Sequence, residues 1–294
     1  MATVAFIGLG NMGTPMAGRL LDAGHRMRLF ARRPQAAAAL VARGALALES
    51  AAQAATGAQF VITNVTTTTD VEQVLLGAQG VVHAAQPGTI VIDHSTIAPS
   101  ATRAIAARLA ERDVVLLDCP VSGGVAGARA GTLTIMVGGQ ESALRQARPL
   151  LRRVGRAITY VGPSGAGQVA KACNQIVQVV TIQAIAEAMR FAAAQSVEPA
   201  RMLEAIRSGF AGSRMLDLMG PKMVQRDFAA GIQARLHRKD FGLICEAARQ
   251  AGLHLPAVAV LERQLEALVA QGWGHDDTSS LLRVLEAIQP GCGA

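Results

Sequence analysis

The feature that most constrains this chain is a glycine-rich turn between an apolar segment and a helical stretch near the N-terminus. Residues 8–13 read Gly-Leu-Gly-Asn-Met-Gly, directly after the apolar run 3–7. In that context the first glycine permits a tight turn, the second lets backbone approach a pyrophosphate, and the third lets the helix pack closely on the strand. The sequence therefore predicts a dinucleotide-binding turn, in which the cofactor residues are Gly8, Gly10, Asn11, Met12 and Gly13.

The pattern of apolar residues divides the chain into two halves. Short β-branched runs at 3–7, 27–30, 60–63, 90–92, 114–117 and 133–137 alternate with alanine-rich helical stretches, a pattern typical of βαβ units and a mostly parallel sheet. Later residues show helical patterns only, at 168–195, 199–208, 213–226, 237–251, 256–271 and 277–288, punctuated by Pro199, Pro221 and Pro256. We therefore predict an α/β chain with a Rossmann dinucleotide-binding domain at 1–163. A long helix joins it to an all-helical domain at 164–294, for substrate binding and oligomerisation.

Composition and charge exclude several classes of protein. A chain with 51% hydrophobic and 17% charged residues is not intrinsically disordered. The net charge of +7 is dispersed and only nine residues are aromatic, which favours one anion pocket over a nucleic-acid surface. The four cysteines (Cys119, Cys173, Cys245 and Cys292) are widely spaced, so we expect neither a metal site nor a disulfide framework. With no signal peptide and no uninterrupted membrane span in the sequence, we expect a cytoplasmic protein that does not bind membranes.

The end of the second predicted strand bears on the choice of dinucleotide. An NAD-binding fold places an acidic residue there for the ribose 2′-hydroxyl, but this segment reads Ala-Arg-Arg-Pro over 31–34. Two guanidinium groups suit a 2′-phosphate, so Arg32 and Arg33 predict NADP(H) over NAD(H). The alternative for Arg33 is a solvated surface cation.

A polar stripe marks the first turns of the long helix. Gln168, Lys171, Asn174, Gln175 and Gln178 lie three or four residues apart, among apolar or small neighbours. Such a stripe must face water, a cleft or a partner. Only three of the 28 basic residues are lysine, and lysine, unlike arginine, can lose and regain a proton. Lys171 is therefore a candidate proton donor, and Asn174 a candidate to hold the same substrate oxygen; a lysine extending from a core helix is the alternative.

Two further segments follow predicted strands at the same sheet edge. Residues 118–124 offer successive backbone N–H groups at Ser122, Gly123 and Gly124, which can bind a carboxylate; an ordinary turn is the alternative. His94 ends another strand, but a lone histidine in such a loop is more often structural, and we assign it no catalytic role.

These motifs together resemble the β-hydroxyacid dehydrogenases, relatives of phosphogluconate dehydrogenase. The resemblance covers essentially the whole chain and rests on 6–13, 118–124, Gly165-Ala166-Gly167, Lys171 with Asn174, and Lys239-Asp240. It implies an active site between the two domains, with Lys171 as general acid/base, Asn174 orienting the substrate and Ser122, Gly123 and Gly124 binding its carboxylate. It also implies cofactor contacts from Thr96 and Lys239, and Asn64 and Val65 occupy a cofactor-side loop where Met-Leu-Pro is usual in the family.

The resemblance implies an NADPH-dependent reductase of a short semialdehyde acid, working reversibly as a 3-hydroxyacid dehydrogenase. Segments 171–175, 205–213 and 236–240 favour the tartronate semialdehyde reductase branch. 3-Hydroxyisobutyrate, succinic semialdehyde, glyoxylate and sulfolactaldehyde are the alternative substrates. A non-catalytic dinucleotide-binding module is the alternative of a different class. We expect a small carboxylate substrate as ligand and a homodimer or homotetramer.

Overall fold

The chain divides into two compact units, which are described separately. The computed structural model describes residues 1–288, so Cys292 lies outside the described residues. The first unit is Met1–Lys171, and the second begins at Ala172. The division falls a few residues after residue 163, where the sequence analysis placed it. The reason is that residues 165–168 are hydrogen-bonded to the sheet of the first unit.

A nine-stranded sheet forms the centre of the first unit. Its strands are β1 (Thr3–Ile7), β2 (Arg26–Phe30), β3 (Leu46–Ala47), β4 (Phe60–Thr63), β5 (Ile90–Asp93), β6 (Val115–Asp118), β7 (Val121–Ser122), β8 (Leu133–Gly138) and β9 (Gly155–Gly162). The spatial order is β3-β2-β1-β4-β5-β6-β8-β7, and β9 pairs with β8. All pairs from β3 to β6 are parallel, whereas β8 is antiparallel to β6 and β7. Strands β3, β7 and β9 are additions to the predicted set.

Helices cover both faces of this sheet. They are α1 (Gly13–Asp22), α2 (Ala38–Val41), α3 (Ala51–Ala55), α4 (Thr68–Leu76), α5 (Pro99–Ala110), α6 (Gly124–Ala130) and α7 (Glu141–Leu151). Val4 and Phe6 belong to one hydrophobic core, and Ala5 and Ile7 belong to another. Successive side chains of a strand face opposite sides of the sheet, so a strand buried on both faces is apolar at every position. The predicted α/β fold class is confirmed.

The sheet order also determines where a ligand can bind. Strand β1 lies between β2 and β4, so the chain reverses its direction of progress through the sheet at this point. Open α/β sheets bind ligands at the carboxyl ends of their strands beside such a reversal. The glycine-rich turn, which follows β1, lies at this edge. The loops after β4, β5 and β6 lie at the same edge.

The second unit is built of helices joined by loops and contains no strand among its described residues, apart from one isolated bridge between Gln233 and Asp277. The long helix α8 (Ala166–Ala194) enters it, followed by α9 (Pro199–Arg207), α10 (Arg214–Gln225), α11 (Ala234–Gln250), α12 (Pro256–Ala270) and α13 (Leu281–Ile288). Pro199 and Pro256 are the first residues of their helices, as predicted. Pro221 does not separate helices: it lies inside α10, whose Met219 and Met223 are buried in the core of this unit.

Helix α8 has an unusual length and polarity. Among the described helices it alone is long and apolar enough to cross a membrane by length and composition, a test that core helices of soluble proteins also pass. Its buried positions include Gln168, Lys171, Gln175 and Gln183. The polar stripe predicted from the sequence is therefore largely buried rather than exposed to water.

Candidate active site

The glycine-rich turn has the geometry of a dinucleotide cradle. A Cβ on Gly8 would lie 2.2 Å from the Asn64 backbone oxygen, and one on Gly13 would lie 2.0 Å from the Gly8 backbone oxygen. At Gly10, in contrast, a Cβ would meet no atom within 4 Å. Helix α1 begins without a side-chain cap and without an acidic residue in its first turn, so its N–H groups suit an anion. The turn therefore fits a bound dinucleotide, with Gly10 leaving space for it.

A cleft beside this turn collects most of the predicted cofactor residues. Its lining includes Gly8, Gly10, Arg32, Arg33, Asn64 and Val65, whereas Asn11 lines a neighbouring groove. The cleft also contains an acid that sequence analysis missed. Asp70 Oδ1 lies 3.1 Å from Arg32 Nη1, and its other oxygen accepts hydrogen bonds from Thr67 at the start of α4. The end of β2 carries no acid, but the fold brings one to it from the first turn of α4.

The loop after β5, which carries Thr96, is anchored by a buried carboxyl group. Asp93 Oδ1 accepts hydrogen bonds from Thr63 Oγ1 at 2.7 Å and from the Ser95 backbone N–H at 3.0 Å. The Ser95 hydroxyl accepts a hydrogen bond from the Val65 backbone N–H at 3.0 Å. Burial raises the pKa of Asp93 to about 6, although both hydrogen bonds act in the opposite direction. This network joins the loop of Thr96 to the loop of Val65.

His94 lies in the same loop, and its ring contacts a backbone carbonyl group. Its Nδ1 lies 2.6 Å from the Cys119 carbonyl oxygen. Since a carbonyl oxygen only accepts, Nδ1 carries the hydrogen and Nε2 is the unprotonated nitrogen. Burial lowers the pKa of His94 to about 4, so the ring is neutral near pH 7. These contacts give His94 a structural role, and we assign it no part in proton transfer.

Gln168 holds the two residues that flank Thr96. Its side-chain Oε1 accepts a hydrogen bond from the Ile97 backbone N–H at 3.2 Å, and its Nε2 donates one to the Ser95 carbonyl oxygen at 2.8 Å. Gln168 is 2% exposed. Because both polar ends of this side chain bind backbone, it fixes the Thr96 loop against the first turn of α8.

Asp118 fixes the same helical turn from the end of β6. Its carboxylate accepts hydrogen bonds from the backbone N–H groups of Gly165 at 2.9 Å and Gln168 at 3.0 Å. Gly167 allows this close approach, since a Cβ there would lie 2.5 Å from the Asp118 backbone oxygen. Burial raises the pKa of Asp118, and these hydrogen bonds oppose the rise. Lys171 follows within one helical turn and is 8% exposed. The candidate proton donor is thus buried on a helix whose start is fixed to the sheet.

The predicted carboxylate-binding loop begins at β7. Ser122 pairs with Thr134 of β8, which fixes the start of the loop. Gly123 and Gly124 have φ angles of +133° and +61°, and L-residues with side chains rarely adopt such angles. Successive N–H groups with this backbone conformation form a concave site for an anion. The structure thus presents Ser122, Gly123 and Gly124 in a form that could bind a carboxylate.

In the second unit, Asn174 belongs to a chain of side-chain hydrogen bonds. Its Nδ2 donates to Gln175 Oε1 at 2.9 Å and to Gln178 Oε1 at 3.2 Å. Gln175 Nε2 donates to Asp240 Oδ2 at 2.7 Å, and Lys239 Nζ lies 3.0 Å from Asp240 Oδ1. The structure thus links Asn174 to Lys239 through Gln175 and Asp240. The sequence predicts that the Asn174 amide holds the oxygen that Lys171 protonates; in the structure its NH₂ group donates to two side chains instead.

Four functional candidates emerge from the structure beyond those chosen from the sequence: Asp70, Asp118, Gln168 and Gln175. Asp118 lies in segment 118–124, and both glutamines belong to the polar stripe predicted on the long helix, so the sequence marks these three positions without giving them a role. The pairing of Arg32 with Asp70 and of Gln175 with Asp240 spans 38 and 65 residues. No local pattern in a single sequence connects residues so far apart.

Two protein-family models together match most of the chain. Residues 3–162 match the family described as the NAD binding domain of 6-phosphogluconate dehydrogenase. Residues 165–285 match the family described as the NAD-binding domain of NADP-dependent 3-hydroxyisobutyrate dehydrogenase. Within the described part of the chain, no group of three His, Cys, Asp or Glu side chains is placed to hold a metal ion.

Similar proteins cover nearly the entire chain. The 2-hydroxy-3-oxopropionate reductase of Escherichia coli K12 is 39% identical over 96% of this chain and 97% of its own length. The NAD-dependent L-serine dehydrogenase of Pseudomonas aeruginosa is 40% identical, covering 98% and 99%. The structure of Mycobacterium tuberculosis 3-hydroxyisobutyrate dehydrogenase with L-serine superposes with a TM-score of 0.90, at 36% identity and coverage of 97% and 99%.

Proposed function

Because this chain belongs to the NAD(P)-binding 3-hydroxyacid dehydrogenase family of oxidoreductases, we propose that it is an NADPH-dependent reductase of a short semialdehyde acid. Tartronate semialdehyde, which is 2-hydroxy-3-oxopropionate, is the first candidate substrate. The aldehyde, the reduced dinucleotide and one proton give the primary alcohol and the oxidised dinucleotide. The reverse reaction oxidises a 3-hydroxyacid.

One observation carries this proposal: Lys171 is buried on a helix whose start is fixed by Asp118 and Gln168. A bound nicotinamide dinucleotide supplies the hydride in this chemistry. In reduction, the Lys171 ammonium donates a proton to the substrate oxygen, and in oxidation the neutral amine accepts it. The N–H groups of residues 122–124 bind the substrate carboxylate, which places the reacting carbon.

Substitution of Lys171 tests the acid/base role. We expect Lys171→Ala to lower kcat by about 10²- to 10⁴-fold, the usual contribution of a positioned proton donor. Lys171→Arg, which keeps the charge but cannot release the proton, should be nearly as inactive. Dinucleotide affinity, measured by titration of NADPH fluorescence, should change little in either variant.

The outcome also separates an enzyme from a binding module. A kcat within threefold of the wild type in Lys171→Ala would remove this residue from the mechanism. If wild-type protein bound NADPH but reduced none of the candidate semialdehydes, a non-catalytic dinucleotide-binding module would replace the proposal. Salt-sensitive binding to DNA would then extend that alternative to nucleic acid.

The proposed preference for NADPH rests on Arg32. Its guanidinium group lines the cleft and already faces one carboxylate, that of Asp70, so a 2′-phosphate would compete with Asp70 for it. We expect Arg32→Ala to lower kcat/KM for NADPH by about 10- to 100-fold, with little change for NADH. Asp70→Asn, which can still accept the hydrogen bonds from Thr67, should strengthen the preference for NADPH. Arg33→Ala, at the neighbouring residue of the same cleft, measures whether the second guanidinium group contributes to this preference. Equal use of both dinucleotides by the wild type would contradict this part of the proposal.

Three expectations from the sequence stay predictions. We propose a cytoplasmic enzyme without membrane or nucleic-acid partners, and fractionation would test its location. We also propose a homodimer or homotetramer, consistent with the exposure of Val177 and Phe191 on α8. Light scattering that shows a monomer at micromolar concentration would contradict the oligomer.

A further inference from the structure

The hydrogen bonds around Asn174 determine which end of its amide can meet a ligand. Asp240 carries a carboxylate paired with Lys239. A carboxylate only accepts hydrogen bonds, so Gln175 must place its NH₂ group toward Asp240, at 2.7 Å. Gln175 is 4% exposed and Asp240 is 7% exposed, so water does not readily replace either partner.

The orientation of Gln175 then fixes that of Asn174. With its NH₂ group on Asp240, Gln175 directs Oε1 at Asn174, and only the NH₂ group of Asn174 can satisfy it. The same Nδ2 atom donates to Gln178 Oε1, so both of its hydrogens are used. What Asn174 can offer a ligand is its carbonyl oxygen, Oδ1, which accepts hydrogen bonds.

We propose that Asn174 selects substrates with a hydrogen-bond donor on carbon 2, the carbon between the carboxylate and the reacting carbon. This inference rests on the proposed function. An aldehyde oxygen only accepts hydrogen bonds, so Asn174 Oδ1 does not bind it, and in the proposed function that oxygen receives its proton from Lys171. Residues three apart on a helix have side chains about 5–6 Å apart, a spacing that lets one small ligand place neighbouring substituents against both.

The substrate class follows from this polarity. A 2-hydroxyl or 2-ammonium group donates a hydrogen bond to Asn174 Oδ1, whereas a 2-methyl group or hydrogen leaves that oxygen unpaired on binding. Sites that hydrogen-bond a substrate group discriminate strongly against analogues that lack it, because a polar group of the site then loses its partner. Three-carbon 2-hydroxy and 2-amino acids are therefore favoured over 3-hydroxypropionate and 3-hydroxyisobutyrate.

The first experiment measures this discrimination directly. Oxidation of D- and L-glycerate and L-serine is compared with oxidation of 3-hydroxypropionate and racemic 3-hydroxyisobutyrate, with each dinucleotide. We expect kcat/KM for the better donor-bearing acid to exceed that of the other two by at least about tenfold. Calorimetry with enzyme saturated with reduced dinucleotide, a complex that cannot oxidise the acids, should show the same order of affinities.

Variants of the hydrogen-bond chain test whether discrimination among substrates depends on the polarity of Asn174 or on the packing around it. Asp240→Asn lets residue 240 donate or accept, so Gln175 and Asn174 can both reverse. The reversed Asn174 presents N–H groups, which the 2-ammonium group of L-serine cannot pair with, so the preference for L-serine over 3-hydroxypropionate should fall toward one, whereas a 2-hydroxyl group can accept instead. Adding Gln175→Glu to Asp240→Asn restores a group that only accepts beside Asn174, and the discrimination should return. Gln175→Met, whose side chain is similar in size but cannot accept the hydrogen bond from Asn174, should lose the discrimination. Circular dichroism and thermal unfolding establish that each variant is folded.

The possible results differ in what they overturn. A wild-type ratio below threefold, or a ratio unchanged in both Asp240→Asn and Gln175→Met, overturns the inference while leaving the reductase proposal intact. Failure to turn over any of the acids or their semialdehydes contradicts the proposed function itself. In that case calorimetry decides the inference: preferential binding of glycerate or serine supports it, and equal binding of all the acids overturns it.

Discussion

The two units fix their candidate functional residues by different means. Around Lys171 in the first unit the contacts run to backbone: Asp118 accepts from the N–H groups of Gly165 and Gln168, and Gln168 binds backbone on both sides of Thr96. In the second unit, Asn174 is fixed through side chains alone, by way of Gln175 and Asp240. Backbone positions tolerate little change, because a shift displaces a whole element. A chain of side chains can be altered at one residue without moving a helix.

Under the proposed function, this difference separates two properties. The first unit would fix the dinucleotide cradle, the carboxylate-binding loop and the helical turn before Lys171, which any substrate of the reaction needs. The second unit would fix the polarity of Asn174, the group proposed to meet the variable part of the substrate. Reaction type and substrate choice would then depend on structures of unequal rigidity.

The largest expected effect comes from adding a Cβ at Gly167, where the start of α8 lies against the backbone of β6 and β8. In Gly167→Ala the new Cβ would lie 2.5 Å from the Asp118 oxygen and 2.7 Å from the Met136 oxygen. The start of α8 must then move away from β6 and β8. We expect the free energy of unfolding to fall by about 3 kcal/mol, and kcat to fall about 100-fold as Lys171 moves with its helix. Urea denaturation and steady-state kinetics measure the two effects.

Gly10→Ala is the matched control for this prediction. Its Cβ would meet no protein atom within 4 Å, so the free energy of unfolding should stay within about 0.5 kcal/mol of the wild type. Dinucleotide affinity should fall at least about tenfold, since the added methyl group occupies the space into which a pyrophosphate would fit. A stable, active Gly167→Ala enzyme would show that the backbone contacts of the first unit are not rigid.

The same contrast explains what the sequence could predict. The glycine-rich turn is a local pattern of backbone requirements, and the alternation of strands and helices is a local pattern of burial, so both could be recognised. The pairing of Arg32 with Asp70 and the anchoring of Gln175 by Asp240 depend on how distant segments meet. Strand β9 was missed because five of its eight residues are exposed, so it lacks the apolar run that identified the other strands.

The second prediction concerns the ionisation of Asp93 and His94. Both are buried in the first unit, so they test how strongly that unit holds its polar groups. Burial raises the pKa of Asp93 from 3.8 to about 6 and lowers that of His94 from 6.5 to about 4. For Asp93 the unfolded chain releases its proton first, so stability falls as the pH rises from about 4 to 6. For His94 the unfolded chain gains a proton first, so stability falls as the pH drops from 6.5 to about 4. Each effect amounts to about 3 kcal/mol, and the two oppose each other.

In the wild type the pH dependences of stability that come from Asp93 and His94 oppose each other. A substitution at either residue should therefore reveal the pH dependence that comes from the other. Asp93→Asn keeps an oxygen for Thr63 and Ser95, so relative to the wild type its stability should rise by about 3 kcal/mol between pH 4 and 6. His94→Asn keeps a donor for the Cys119 carbonyl oxygen, and its relative stability should rise as the pH falls over the same range. Urea denaturation at half-unit steps of pH measures both slopes. Parallel curves for all three proteins would contradict the opposed titrations.

The smallest expected effect compares one glutamine from each unit. Gln168→Leu leaves the Ser95 carbonyl oxygen and the Ile97 N–H without their partner, so we expect a loss of about 1–3 kcal/mol in the free energy of unfolding. Gln175→Met also removes a buried amide, but its partners are side chains: Asn174 can turn over, and Asp240 keeps its ion pair with Lys239. Its loss should be smaller, about 1 kcal/mol, while selectivity among substrates changes. Urea denaturation of both variants provides the comparison. Equal losses would mean that the side-chain network of the second unit is as rigid as the backbone contacts of the first, and the division between reaction type and substrate choice would fail.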